Sequence, residues 1–227
     1  MISQDLLPAA VAAAKAGGEV LLANWRRLPS GSVAEKEKND FVTFADRESE
    51  ARIVETIRER FPQDAFLGEE GGASGVAGAA RTWIIDPLDG TSNFISGFPF
   101  WCVSVAARER GEIVAGAVWD PLHGELYTAA RGAGAFRNGS PIRVSGRSGV
   151  EGAFVATGFP FRYREQIDLY LTLFKDVFLA ARAVRRAGSA ALDLAMVAAG
   201  VFDGFFEFHL APWDIAAGAL LIEEAGG

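Results

Sequence analysis

The residues best placed to do chemistry in this chain are acids at the ends of apolar runs. Asp86 and Asp89 stand three apart in Trp83-Ile84-Ile85-Asp86-Pro87-Leu88-Asp89-Gly90-Thr91-Ser92-Asn93-Phe94. Residues 82–85 read as a short buried strand ending on Asp86. Pro87 fixes φ and lacks a donor, so a turn is predicted. Gly90 permits close approaches that a Cβ would prevent. Thr91 suits the N-cap of a following helix. Two carboxylates at the end of a strand, beside the N–H groups of a turn, suit a hard divalent cation together with a phosphate. The same Asp-Pro-x-Asp-Gly run is also good turn chemistry, and most such turns hold no metal.

Two further stretches repeat the theme. Glu69 and Glu70 lie between glycines just past the apolar run Ala65-Phe66-Leu67. Asp214 follows Pro212-Trp213 at the start of a predicted helix, where a carboxylate gains about 0.3–1 kcal/mol from the helix dipole. A cap alone would explain it. Its neighbours Trp213 and Ile215 are apolar, however, and a lone buried charge is costly unless it is paired or metal-bound. Spacing does not say which of these acids meet.

The elements that must position them read as follows. Residues 3–27 form a helix with an apolar stripe, and Gly17-Gly18 marks a close helix contact. The charge run 35–38 reads as a solvated edge. Thr43 caps a helix that turns Ala45, Ile53, Ile57 and Phe61 inward and carries Asp46 in its first turn. Residues 65–67 form a strand, and 71–80 a mobile glycine- and alanine-rich surface loop. Residues 100–107 and 113–119 make a hairpin, and 125–129 and 133–136 continue the meander with a turn at Asn138-Gly139. This half is α+β, with helices on one face of its sheet. A polar stretch at 145–152 divides it from an α/β second half, so the lobes are 1–145 and 146–227. In the second lobe, 163–181 is a helix with Leu169, Leu173 and Phe174 inward, 189–199 a helix, 202–208 a strand and 213–225 a helix.

Composition narrows the function classes. The chain has 227 residues, 50% hydrophobic and 22% charged, which suits a globular fold with a sizeable core. The net charge of −7 disfavours general binding to nucleic acid or anionic membrane. One cysteine, Cys102, forbids an internal disulfide and fits a reducing cytoplasm; it reads as a core thiol. Two histidines and one cysteine make a zinc site improbable. No basic n-region precedes the apolar N-terminal stretch, so neither a signal peptide nor a membrane span is expected.

Gly68-Glu69-Glu70, the run 83–94 and Pro212-Trp-Asp-Ile-Ala-Ala-Gly218 together resemble the signatures of the inositol monophosphatase family. The likeness extends to residues 40–46 and 188–192. It implies a five-layer α-β-α-β-α sandwich, as in sugar phosphatases, and Mg²⁺-dependent hydrolysis of a small phosphate monoester using two to three ions. By resemblance, Glu69, Asp86, Asp89, Asp214 and the carbonyl of Leu88 are metal ligands, and Asp46 serves a weaker third ion. Thr91 would help Glu69 orient the attacking water. Gly90 and Thr91 would meet the phosphate, Ala190 and Glu207 the alcohol portion, and Lys36 the phosphate if its register holds. The expected substrate is myo-inositol 1-phosphate or a similar polyol or sugar phosphate, with fructose 1,6-bisphosphate and histidinol phosphate as alternatives. No base-stacking insertion points to a nucleotide. The resemblance further implies a homodimer, a possible association with the transcription machinery, and additional strands and a helix beyond Gly226-Gly227, so that the second lobe reads as cut short.

Overall fold

The computed structural model describes residues 5–29, 31, 33–37, 40–161 and 163–227, apart from the side chains at 33, 35–37, 40 and 41. Helix α1 (Leu6–Asn24) is followed by a hairpin of β1 (Val33–Glu37) and β2 (Asp40–Thr43), then helix α2 (Phe44–Arg58). Next come β3 (Ala65–Gly68), β4 (Gly72–Gly75), β5 (Arg81–Asp89) and the short helix α3 (Thr91–Ser96). The meander β6 (Cys102–Glu109), β7 (Glu112–Asp120), β8 (Glu125–Ala130), β9 (Gly134–Arg137) and β10 (Ser140–Pro141) completes the large sheet. Beyond it lie β11 (Phe154–Thr157), α4 (Ile167–Ala180), β12 (Ala183–Arg185), α5 (Ala190–Ala198), β13 (Gly204–Phe206) and α6 (Pro212–Glu224).

The large sheet has eight strands in the order β10-β9-β8-β7-β6-β5-β3-β4. Only β3 and β5 pair in parallel; the other pairs are antiparallel. The small sheet, β12-β11-β13, is all parallel. Apolar side chains set the layers. Leu6, Leu21, Ile53 and Ile57 of α1 and α2 close over Trp83, Ile85 and Val103 on one face of the large sheet. Ala191, Leu192, Leu220 and Leu221 of α5 and α6 cover Ile84, Cys102 and Val118 on the other. Val197 and Met196 carry α5 onto Ala156 of the small sheet, and Tyr170 brings α4 onto it from outside through Thr157 and Phe206. The order is therefore α-β-α-β-α. The helices α1 and α2 cover only one face of the first half's sheet, as expected; its other face is covered by helices from the second half.

Gly17 and Gly18 mark the anticipated close contact. A Cβ at Gly17 would lie 2.7 Å from Ile53 and from Ser49 Oγ, and one at Gly18 would lie 2.6 Å from Trp119. Helix α1 is long and apolar enough to cross a membrane by length and composition, and its packing on α2 and the sheet accounts for that apolarity here.

Several local expectations change. The charge run 35–38 falls largely in β1, one arm of a hairpin, because residues 40–43 extend to pair with it before the helix begins. Residues 72–75 are not loop but an edge strand, since Gly72 and Gly75 take positive φ and let the chain double back along β3. The strand carrying Asp86 runs on to Asp89 through an irregularity in its pairing with β6, rather than ending on Asp86. In α4 the inward residue is Tyr170, whereas Leu169 and Leu173 are exposed, Leu169 by 62%. Asp168, Thr172, Lys175 and Asp176 share one face of the helix, and the apolar remainder is wider than the part that Tyr170 buries, so periodicity could not single out the buried residue.

Candidate active site

The irregularity in β5 is what shapes the site. Asp86 pairs opposite Ser104 and Asp89 opposite Cys102, so more residues lie between the pairs on β5 than on β6. Asp86 Oδ1 accepts the Leu88 N–H at 3.0 Å, which folds the strand end around its own acid. Ser49 of α2 donates its hydroxyl to the Pro87 carbonyl at 3.0 Å and holds the distortion from beneath. Gly90 then takes φ +98°, and Phe100 O and Trp101 Cβ would lie 3.0 and 3.1 Å from a Cβ placed there, so only glycine fits.

Thr91 is not the N-cap. Gly90 takes that position without a side-chain cap, and Thr91 is the first helical residue. Its hydroxyl lies 3.1 Å from both Leu88 O and Asp46 Oδ1. The helix start is left to the backbone because the threonine hydroxyl turns back toward the strand end.

Asp89 is held from the far side of the chain. Its Oδ2 accepts from Ser189 Oγ at 2.6 Å and from the Ala191 N–H at 2.7 Å. The start of α5 thus grips an acid 100 residues earlier, with a favourable helix dipole. Asn93 Nδ2 adds contacts to Phe100 O, Ala187 O and Gly188 O. Asp214 sits in the first turn of α6, and its Oδ2 accepts from Ala211 N at 2.6 Å, so the structural cap reading also holds. Glu69 follows β3, where Glu50 of α2 accepts from the Glu70 and Gly71 N–H groups at 2.9 and 2.7 Å and fixes the loop.

Glu69, Asp86, Leu88, Asp89, Gly90, Thr91, Ala190, Glu207 and Asp214 all line one pocket of about 190 Å³. Gly158, Phe159, Phe161, Tyr163, Arg186 and His209 are among the other residues of its wall. Burial, and then the charges of Glu69, Asp89 and Asp214, push the Asp86 carboxyl well above the ordinary carboxylate range. Burial raises Asp89 too, opposed chiefly by its bonds to Ser189 and Ala191. Among the described residues no three acids close into a tight cluster. The shared pocket and the mutual repulsion are the observations that bear on metal binding. An all-oxygen, acid-rich set of this kind fits a hard divalent cation.

Two expected site residues stand apart. Asp46 is fully buried behind Thr91, with Oδ2 bonded to Thr43 and Oδ1 to Thr91, and does not line the pocket. Burial raises its pKa to about 6. The Lys36 side chain lies outside the described residues. Cys102 is a fully buried thiol, as expected, and burial pushes its pKa up.

The sequence reading passed over Glu50, Ser189, Asn93 and Asp193. Glu50 shares the inward face of α2 with Asp46, Ile53 and Ile57, and that spacing was the available signal. Asp193 is 1% exposed, and its Oδ1 has no hydrogen-bond partner among the described residues. Burial, then the charges of Asp89 and Glu207, raise its pKa from 3.8 to about 8. Such a group holds its proton more tightly folded than unfolded, so its contribution to stability declines as pH rises between those values. Asp193→Asn should therefore raise the melting temperature more at about pH 8 than at about pH 5, by roughly 2–4 °C per kcal/mol relieved. Thermal melts at both pH values read the difference, and an equal shift at both would refute it.

The comparisons with known proteins agree with this geometry. The pattern that defines the inositol monophosphatase family matches residues 3–227. The chain is 48% identical to the Nus factor SuhB of Pseudomonas aeruginosa, over 99% of this chain and 84% of that one. It is 47% identical to the fructose-1,6-bisphosphatase/inositol-1-monophosphatase of Aquifex aeolicus, over 97% of this chain and 83% of that one. The crystal structure of the extragenic suppressor protein suhB from Bartonella henselae superposes with a TM-score of 0.92 at 41% identity, covering 96% of this chain and 84% of that one. A pocket of carboxylates at strand and helix ends, on a five-layer sandwich matched along nearly its whole length, makes this chain a phosphatase of the inositol monophosphatase family.

Proposed function

We propose that the chain hydrolyses a small phosphate monoester, with myo-inositol 1-phosphate the leading substrate. One observation carries the reading: the acid just past β3 and the acids of β5 and α6 share a pocket with the Gly90-Thr91 turn and with Glu207. Glu69, Asp86, Asp89, Asp214 and the Leu88 carbonyl would hold Mg²⁺. When bound, the metal offsets the phosphate dianion and lowers the pKa of water. A third ion at Asp46 would have to compete with the bonds from Thr43 and Thr91.

The chain's own groups do the rest. The N–H groups of Gly90 and Thr91 hold phosphate oxygens. Glu69 accepts the proton of the attacking water, and Thr91, braced by Asp46, keeps the turn in place beside it. Glu207 accepts hydrogen bonds from hydroxyls of the leaving alcohol while Ala190 packs beside it. Positioning and electrostatics thus supply most of the rate, as in phosphoryl transfer generally.

The test compares phosphate release from inositol 1-phosphate, fructose 1,6-bisphosphate and histidinol phosphate, with Mg²⁺ and with chelator. Inositol 1-phosphate should give the highest kcat/KM, and chelator should abolish it. Turnover undiminished by chelator would sink the metal assignment, and a higher kcat/KM for another ester would replace the substrate.

A binding role beside catalysis is a second reading, favoured by the 48% identity to a protein named a Nus factor. Capture of the transcription machinery by the wild type and equally by a catalytically dead variant would support it; capture by neither would end it. A homodimer is proposed as well, supported by the exposed Leu171, Phe178 and Leu179 on α4. Light scattering in solution reads its mass, and a monomer at all concentrations would refute it.

A further inference from the structure

Glu207 follows β13, and Gly158 follows β11, its parallel neighbour. Thr157 lies opposite Phe206, so Gly158 and Glu207 emerge side by side at the carboxyl edge of the small sheet. A Cβ built on Gly158 would fall on the Glu207 carboxylate itself, closer to its Cδ and both oxygens than non-bonded atoms can approach. The carboxylate therefore lies directly over the glycine. Gly158 does not adopt the left-handed φ that would require glycine for conformational reasons. Its missing side chain is needed for space alone.

The two strand ends cannot drift apart to make room. Thr157 Oγ donates to Phe206 O at 2.7 Å and is itself 2.7 Å from the Tyr170 hydroxyl. Thr157 is 1% exposed and Tyr170 fully buried, so this junction is part of the packed interior. Only the flexible end of Glu207 can yield.

We propose that Gly158 is a specificity-determining positioning residue, whose missing side chain lets the Glu207 carboxylate lie where it meets the hydroxyls of the leaving alcohol. The inference rests on the reading of Glu207 as a substrate contact. Any side chain at 158 would swing the carboxylate away from that position without disturbing the metal-side acids on β5 and α6. The enzyme would then keep its chemistry and lose its preference for polyol esters.

The experiment is a kinetic cycle of wild type, Gly158→Ala, Glu207→Ala and the double variant. Inositol 1-phosphate is the polyol substrate and p-nitrophenyl phosphate the ester without hydroxyls. G158A should raise KM for inositol 1-phosphate about tenfold or more, the scale of hydrogen bonds to a charged group, with little change in kcat. Its effect on p-nitrophenyl phosphate should be far smaller than on inositol 1-phosphate, and its melting temperature should shift little. In the E207A background, G158A should add nothing, because the atoms it displaces are gone. An unchanged KM in G158A, or the same increment in both backgrounds, would overturn the proposal while leaving the role of Glu207 intact. If E207A alone leaves inositol 1-phosphate kinetics unchanged, the underlying reading of Glu207 fails and the proposal fails with it.

Discussion

Replacing Asp86 with Asn is expected to lower kcat/KM by about 10³ or more, about 4 kcal/mol of lost transition-state stabilisation, and yet to raise the melting temperature of the metal-free protein. Both effects have one cause. Asp86 is 1% exposed, and burial together with the charges of Glu69, Asp89 and Asp214 pushes its carboxyl pKa up. An acid whose folded pKa is raised holds its proton more tightly in the folded state. Stability is then lost as pH climbs above the ordinary carboxyl range. Asparagine keeps the shape and can still accept the Leu88 N–H through its carbonyl oxygen, but it removes the charge. The melting temperature in chelator at neutral pH should rise by roughly 2–4 °C for each kcal/mol relieved. Mg²⁺ should raise the wild-type melting temperature, because a ligand bound only by the folded state stabilises it, and should raise that of the variant less. Calorimetry with and without Mg²⁺, paired with phosphate release, tests the trade-off. A variant both inactive and destabilised in chelator would show that Asp86 serves the fold rather than a cation.

The second large effect lies beneath the site. Trp101→Ala should cost about 3–5 kcal/mol, as for other buried aromatics truncated to alanine. Trp101 is fully buried and packs against Trp25 and Phe94, with ring centroids 5.3 and 5.0 Å away. Its Cβ also lies 3.1 Å from where a side chain on Gly90 would begin, so the residue backs the Gly90-Thr91 turn. The ring it would lose packs on Phe94 of α3, the helix that begins at Thr91, so turnover should fall along with stability through loosening of α3. Trp101→Phe should be far milder. The indole Nε1 has no hydrogen-bond partner among the described residues, so the phenyl ring gives up little that is polar. Denaturant unfolding of both variants separates the cases. Equal losses in the two would show that the indole nitrogen matters in a way this packing does not explain.

Much of this fold could be read from local pattern because the physics there is local. The Thr43 cap with Asp46 in its first turn and the Arg110-Gly111 and Asn138-Gly139 turns each depend on residues within a few positions of one another. Where local pattern failed, a distant partner or a lack of contrast was responsible. Residues 72–75 form a strand only because β3 offers an edge to pair with. The buried part of α4 was hidden within an apolar face wider than the contact, and only the small sheet selected Tyr170.

The amino-acid sequence by itself determined the inventory of the site: acids after apolar runs, a proline-distorted strand end and a glycine before Thr91, in an order that resembles one family of phosphatases. Those features depend on residue type and short spacing, which the chain carries explicitly. Only the tertiary structure decided which residues meet. It placed Asp89 on the start of α5, Asp46 behind Thr91 and out of the pocket, and the Glu207 carboxylate over Gly158. It also set Asp193 close enough for the charges of Asp89 and Glu207 to act on it. Those relations join segments more than 100 residues apart. They come from packing layers against one another, a property of the whole fold that no short window of sequence encodes.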